Sequence, residues 1–316
     1  MRRASLLLMI LHLAPSQFAA GQDTTSFDPR VLEPAYPTDA PFRPRVLIDA
    51  GHFNTHTPSG SYRAFTELIR NDGYSVTVGT GSFESPALDG HDVVIIATPQ
   101  PFLDSLVNWS DSVITRANWT SPALTERECD AIQAWVNDGG ALLLITGHAP
   151  RAFWSATLAG RFGVDVHNSY AADSLNSERA SETMPRGAWI VYSRDNGLLA
   201  DHAITNGRSQ REQVRRVRVN GSASLSGPPG STAFLQLGPS AYEWIFHDFA
   251  FWEDARHSVV SIPGRSQGVA FRFGAGRVVV LAPTALFSER YMARPDTDHR
   301  QLALNVMHWL SGLTDP

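Results

Sequence analysis

Two polar clusters hold the residues best suited to chemistry. The first is Asp49-Ala-Gly-His52-Phe-Asn54-Thr-His56-Thr57, and the second is Thr146-Gly147-His148-Ala149-Pro150. Imidazole works as a general base, a proton donor or a metal ligand near neutral pH. Three imidazoles, His52, His56 and His148, are enough for a divalent metal such as zinc with an open fourth position. The His-x-Asn-x-His spacing belongs to a loop, however. It lacks the i, i+4 interval that presents two ligands on one helix face. Loop His and Asn side chains also commonly satisfy backbone groups. His148 stands at a strand-to-helix turn, where an α/β fold would seat a nucleophile, yet neither Ser nor Cys occupies that turn. The single Cys, Cys129, falls inside a helix and reads as a small core residue. A Cys-His or Ser-His-Asp apparatus therefore has no obvious seat. Asn305 lies in the last helix beside apolar Val306, so it needs partners and could brace the first loop.

The elements around these clusters follow from hydrophobic period. Arg45–Asp49, Tyr74–Val78, Asp92–Ala97 and Ala141–Thr146 read as strands, two of them continuous apolar runs expected of a sheet covered on both faces. Phe65, Leu68 and Ile69 recur at helical spacing after Ser61, a candidate cap. Thr125-Glu-Arg-Glu128 is a capping box ahead of Ile132, Trp135 and Val136. A helix near 152–162 follows. This order predicts an α/β, doubly wound, mostly parallel sheet, with ligands bound beyond the strand carboxyl ends. Both polar clusters belong there. After residue 165 the pattern turns β-rich: Trp189–Tyr192, Val214–Val219 and Phe234–Leu237 are strand-like. Gly274-Ala-Gly276 joins a hairpin. Asp298 is a natural cap for a last helix that turns Leu302, Val306, Trp309, Leu310 and Leu313 inward. The aromatic run Phe246–Trp252 could line a sugar platform, although core packing explains it better.

Composition narrows the function class. The chain has 316 residues, 43% hydrophobic and 18% charged, with net charge −5 and one Cys. A broadly basic nucleic-acid surface is excluded, as are an internal disulfide framework and a zinc ribbon. Arg2-Arg3, the short run Leu6–Leu11 and the small residues Ala19-Ala20-Gly21 read as a signal peptide over residues 1–21. The run is too short for a span of about 20 residues. The expected location is secreted or periplasmic, with no transmembrane segment after cleavage. Residues 22–43, rich in Pro, read as an extended arm.

Val46-Leu-Ile-Asp49 with His52-x-Asn54-x-His56-Thr57, then Leu143-Leu-Ile-Thr-Gly-His148-x-Pro150, resembles the class I glutamine amidotransferase-like superfamily. The likeness is nearest to an exported branch related to trehalose-utilisation-type and gliding-motility/intraflagellar-transport-type domains. Asn196–Ile204, Gly274–Val280 and Arg300–Leu310 extend it over residues 44–313, a single domain with insertions at about 99–123 and 165–260. The resemblance implies a flavodoxin-like sheet with a β-rich C-terminal portion and a pocket at the strand ends. It implies no glutaminase, since the elbow Cys is absent. Ala50, Gly147 and Pro283 also stand where the related pattern carries acids.

Three functions compete at this point. One is a binding module for a small polar ligand, such as a sugar, held by Asp49, His52, Asn54, His56, Thr57, His148 and Asn305. The second is a hydrolase, with His148 or His52 as base or with a metal on His52, His56 and His148. The third is a scaffold for a protein partner.

Overall fold

The computed structural model describes residues 27–84, 86–101, 121–178, 189–246 and 257–314. The segment read as a signal peptide lies outside them, as do most of the 99–123 insertion and nearly all of the aromatic run after Phe246.

Five strands build the parallel half of the main sheet: β1 (Arg45–Asp49), β2 (Ser75–Gly79), β3 (Val93–Ala97), β4 (Ala141–Ile145) and, much later, β14 (Gly276–Leu281). Their order is β2-β1-β3-β4-β14, every neighbour parallel. The β-rich portion does not stand apart from this sheet. β13 (Ser266–Phe273) pairs antiparallel with β14, and β5 (Asp165–Val166), β9 (Leu225–Ser226) and β10 (Thr232–Gln236) continue from it. The sheet is therefore mixed. Two smaller antiparallel sheets sit beside it. One joins β12 (His257–Ser261), β11 (Ala241–Phe246) and β6 (Ser169–Asp173); the other joins β7 (Trp189–Ser193) and β8 (Arg216–Asn220).

Helices cover both faces, and strand alternation explains why the apolar runs are continuous. Val46, Ile48 and Ile95 point into one core with α1 (Arg63–Asn71) and α6 (His299–Leu310). Leu47, Val94 and Ile96 point into the other with α2 (Glu126–Asn137) and α3 (Arg151–Arg161). A residue pointing either way meets a helix, so the interiors of β1, β3 and β4 are apolar. Two short helices, α4 (Ala203–Asn206) and α5 (Glu289–Met292), complete the set among the described residues.

The helix starts were read unevenly. Thr125 and Glu128 form the capping box in full, Thr125 Oγ1 accepting from the Glu128 amide and Glu128 Oε2 from the Thr125 amide. Ser61 does not cap α1: the N-cap position is Tyr62, one residue on, and the Ser61 hydroxyl pairs with His56 at 2.6 Å. Asp298 precedes α6 without a side-chain cap. Its carboxylate instead accepts the amides of Arg215 and Arg216 at 2.8 and 2.9 Å, tying α6 to β8.

The N-terminal arm is docked along part of its length. Phe27, Val31 and Ala35 pack against the core and Tyr36 is buried. The Tyr36 amide donates to the Asp72 carbonyl at 3.0 Å, and the Ala35 amide donates to the Asp72 carboxylate at 2.8 Å. That carboxylate also meets His308 Nε2 at 2.7 Å, so the arm closes over a buried hydrogen-bonded pair between the end of α1 and α6.

Candidate functional site

β1 ends on Asp49, whose carboxylate is fully buried. It accepts from the Gly51 amide at 3.0 Å, from Asn54 Nδ2 at 3.0 Å and from His52 Nδ1 at 2.9 and 3.0 Å. The other ring nitrogen of His52 meets Glu128 Oε1 at 2.9 Å. Glu128 is the capping-box residue of α2, and its two oxygens also take the amides of Phe83 and Thr125 and the Thr125 hydroxyl. Phe83 stacks on the His52 ring, with centroids 5.0 Å apart and planes 11° from parallel.

A carboxylate can only accept, so both nitrogens of His52 carry protons and the ring is an imidazolium. Burial alone would push its pKa down. The hydrogen bonds and charges of Asp49 and Glu128 outweigh that and raise it to about 9. Burial would likewise raise Glu128, but its bonds to Thr125, His52 and Phe83 hold it below the usual carboxylate range. The group is a strut from β1 to α2. It leaves His52 no lone pair to act as a base or to bind a metal. Asn54 is tied into it, donating to Asp49 and to the Ala97 carbonyl.

His56 goes elsewhere. It pairs with Ser61 Oγ and stacks on Tyr62 at 4.7 Å. Burial, helped by the charge of Arg151, lowers its pKa to about 4. Thr57 Oγ1 accepts from the Gly60 amide at 3.1 Å and holds the turn of its own loop. His148 follows Gly147, whose φ of +91° suits glycine at this sharp bend. His148 Nδ1 donates to the Ala149 carbonyl at 2.6 Å. Burial lowers its pKa to about 4; the Ala149 carbonyl opposes that and Arg151 adds to it. Both imidazoles are thus uncharged at neutral pH, and the guanidinium of Arg151, first residue of α3, acts on both.

The expected three-histidine metal site is not formed. His52 is committed to two carboxylates. Among the described residues, no group of three or more His, Cys, Asp and Glu could hold a metal ion. Asn305 is also not part of this rim. It is fully buried in α6 and donates to the carbonyls of Ile204 and Glu212 at 2.9 and 2.8 Å, while its oxygen accepts from Gln301. It braces the 203–212 segment rather than the first loop. Cys129 is buried in α2, and burial pushes its thiol up to about 11, away from thiolate chemistry.

The rim is continuous across the strand ends. The Gln100 amide donates to the His52 carbonyl at 2.8 Å, and the Thr55 amide to the Thr98 carbonyl at 3.1 Å. Thr98 in turn donates to the Ile145 carbonyl, and Gly147 to the Ala282 carbonyl. Thr98 and Phe53 hold positive φ, +51° and +44°, which is unusual for a β-branched or bulky residue. An aromatic row leads away from His148: Tyr170 at 5.6 Å, Trp244 a further 6.0 Å on, then Tyr242 at 5.1 Å. Tyr170 and Trp244 are direct partners across β6 and β11.

Sequence reasoning missed Glu128, Phe83, Arg151, Thr98 and Tyr170. One signal was present for two of them. A helix that follows a parallel strand starts on the carboxyl rim, so the first turns of α2 and α3 had to face the loops.

No protein-family model matches the chain, and no curated protein matches it. Solved structures do. The mmIFT52 N-terminal domain superposes with a TM-score of 0.58 at 15% identity, covering 84% of this chain and 97% of that one. The chain has the fold of that domain. This is one of the domain types to which the sequence motifs pointed. The cytoplasmic protein STM1381 from Salmonella typhimurium LT2 gives a TM-score of 0.48 at 13% identity, over 84% of this chain and 99% of its own. A ThuA-like protein from Bacteroides uniformis gives 0.44 at 13% identity, over 87% and 95%. At such identities the likeness concerns fold and not activity.

Proposed function

We propose that this chain is an exported, glutamine amidotransferase-like domain of flavodoxin-like strand order that binds a small polar ligand, a carbohydrate, at the Gly147 turn. The observation that carries this is the surroundings of that turn. Uncharged His56 and His148 lie within the field of Arg151, and the row Tyr170, Trp244, Tyr242 starts at His148. Aromatic faces beside hydrogen-bonding groups are the usual lining of a small-molecule site. The Asp49–His52–Glu128 strut fixes the loop and does not contact the ligand.

A thermal-shift screen of mono- and disaccharides against the wild type and His148→Ala tests the reading. Saccharides that raise the wild-type Tm and lose that effect in the variant support it. A screen in which none does so removes it. His-based hydrolysis is the second reading, favoured by the neutral, tautomer-fixed ring of His148. It requires turnover of a bound saccharide that disappears in His148→Ala.

A further inference from the structure

The loop after β1 carries one residue that the fold does not explain. Phe53 holds φ +44°, a left-handed backbone that a bulky side chain rarely adopts. Both of its neighbours are pinned. The buried Asp49 carboxylate takes His52 Nδ1 on one side and Asn54 Nδ2 on the other, and the Gln100 amide holds the His52 carbonyl. The surroundings therefore fix the backbone at position 53, and the strain persists because they do. Glycine or asparagine would take the same conformation with less strain.

The phenyl ring adds no packing that would offset this. It belongs to neither hydrophobic core, is 45% exposed and, among the described residues, stacks on no other ring. Phe83, by contrast, is buried and stacks on His52. A local rule broken without a structural gain marks a functional position. The loop of Phe53 also adjoins the Gly147 turn. The Thr55 amide donates to the Thr98 carbonyl, and Thr98 Cγ2 would lie 3.4 Å from a methyl built on Gly147.

We propose that Phe53 is the stacking surface of this site, and that the ligand is a pyranose whose C–H face lies on the phenyl ring. This rests on the carbohydrate-binding reading above and narrows it to cyclic sugars with a flat apolar face. The strained backbone holds an aromatic face in solvent at a fixed place. An open-chain polyol carries similar hydroxyls but offers that face no flat partner.

NMR titration of the full chain with methyl β-glucopyranoside and with sorbitol tests it. Saturation of the aromatic protons of the protein is expected to reach the ring C–H protons of the bound glucoside. In Phe53→Asn that transfer fades and glucoside affinity falls about tenfold, while the ligand-free Tm rises by about 2–4 °C as the strain is relieved. Phe53→Trp is expected to keep the affinity. Sorbitol is expected to bind more weakly than the glucoside, and equally to wild type and Phe53→Asn. Unchanged glucoside affinity in Phe53→Asn overturns the proposal, as does sorbitol binding as well as the glucoside. A Phe53→Asn chain that loses affinity and Tm together also overturns it, because Phe53 would then be a structural residue. A glucoside that does not bind the wild type overturns it too. In each case saccharides that still depend on His148 leave the broader reading standing; silence from every saccharide removes both.

Discussion

His52 shows how one side chain changes role with its neighbours. As a free loop imidazole it would titrate near 6.5 and could abstract a proton. Between Asp49 and Glu128 it is a cation with a pKa of about 9. Its folded pKa lies above the unfolded value, so its stabilisation is complete below about pH 6.5 and fades as pH rises through 9. We expect urea melts of the wild type to lose about 1–3 kcal/mol between pH 6.5 and 9.5, with His52→Gln lacking that slope. An unchanged slope in the variant would show that the strut does not stabilise the fold. The types and positions of Asp49, His52, Asn54, His56 and His148 were legible in the chain. Which of them face one another was not. Asp49 and Asn54 are near neighbours of His52 in sequence, but Glu128 lies far along the chain from it, beyond α1, β2 and β3.

At the scale of elements, α2 carries two functions on one turn. Its capping box was visible as Thr125-x-x-Glu128. The second use of Glu128, as the far anchor of His52, depends on the β1 loop lying beside the α2 N-terminus, which local pattern does not encode. The two uses separate by mutation. Thr125→Ala removes the cap and is expected to destabilise by about 1 kcal/mol. Glu128→Ala also leaves a buried imidazolium with one carboxylate, and about 3 kcal/mol is expected. Denaturant midpoints of both variants check this; equal losses would reduce Glu128 to a cap. The same logic explains the misreadings at Ser61 and Asp298. Both types favour caps, and both found a stronger partner outside the helix, His56 and the β8 amides respectively. The middle of the parallel half was legible because β3 and β4 are uniformly apolar. In the antiparallel half the β13–β14 hairpin was legible from Gly274-Ala-Gly276, whereas β5 and β9 were not, because they contain two residues each.

Across the whole molecule, the arm and the last helix meet over Asp72. Gly73 makes this possible: its φ is +98°, and a methyl there would fall 1.7 Å from the Tyr36 carbonyl oxygen. Gly73→Ala is therefore expected to displace the arm, lowering stability by about 2–4 kcal/mol and exposing residues 27–43 to protease. A protected arm in that variant would contradict the docking. Among the described residues no helix is long and apolar enough to cross a membrane. Export rests on the N-terminal sequence alone. Mass spectrometry of chain made in an exporting host is expected to find Gln22 first, and an intact N-terminus would remove that reading.

The register of β4 has a consequence for how the chain comes into being. Ala141 is flanked by Val93, made before it, and by Arg277, made near the end. During synthesis β4 therefore presents a raw edge until β14 has emerged. Such late closure is slow and leaves sticky intermediates in need of a chaperone.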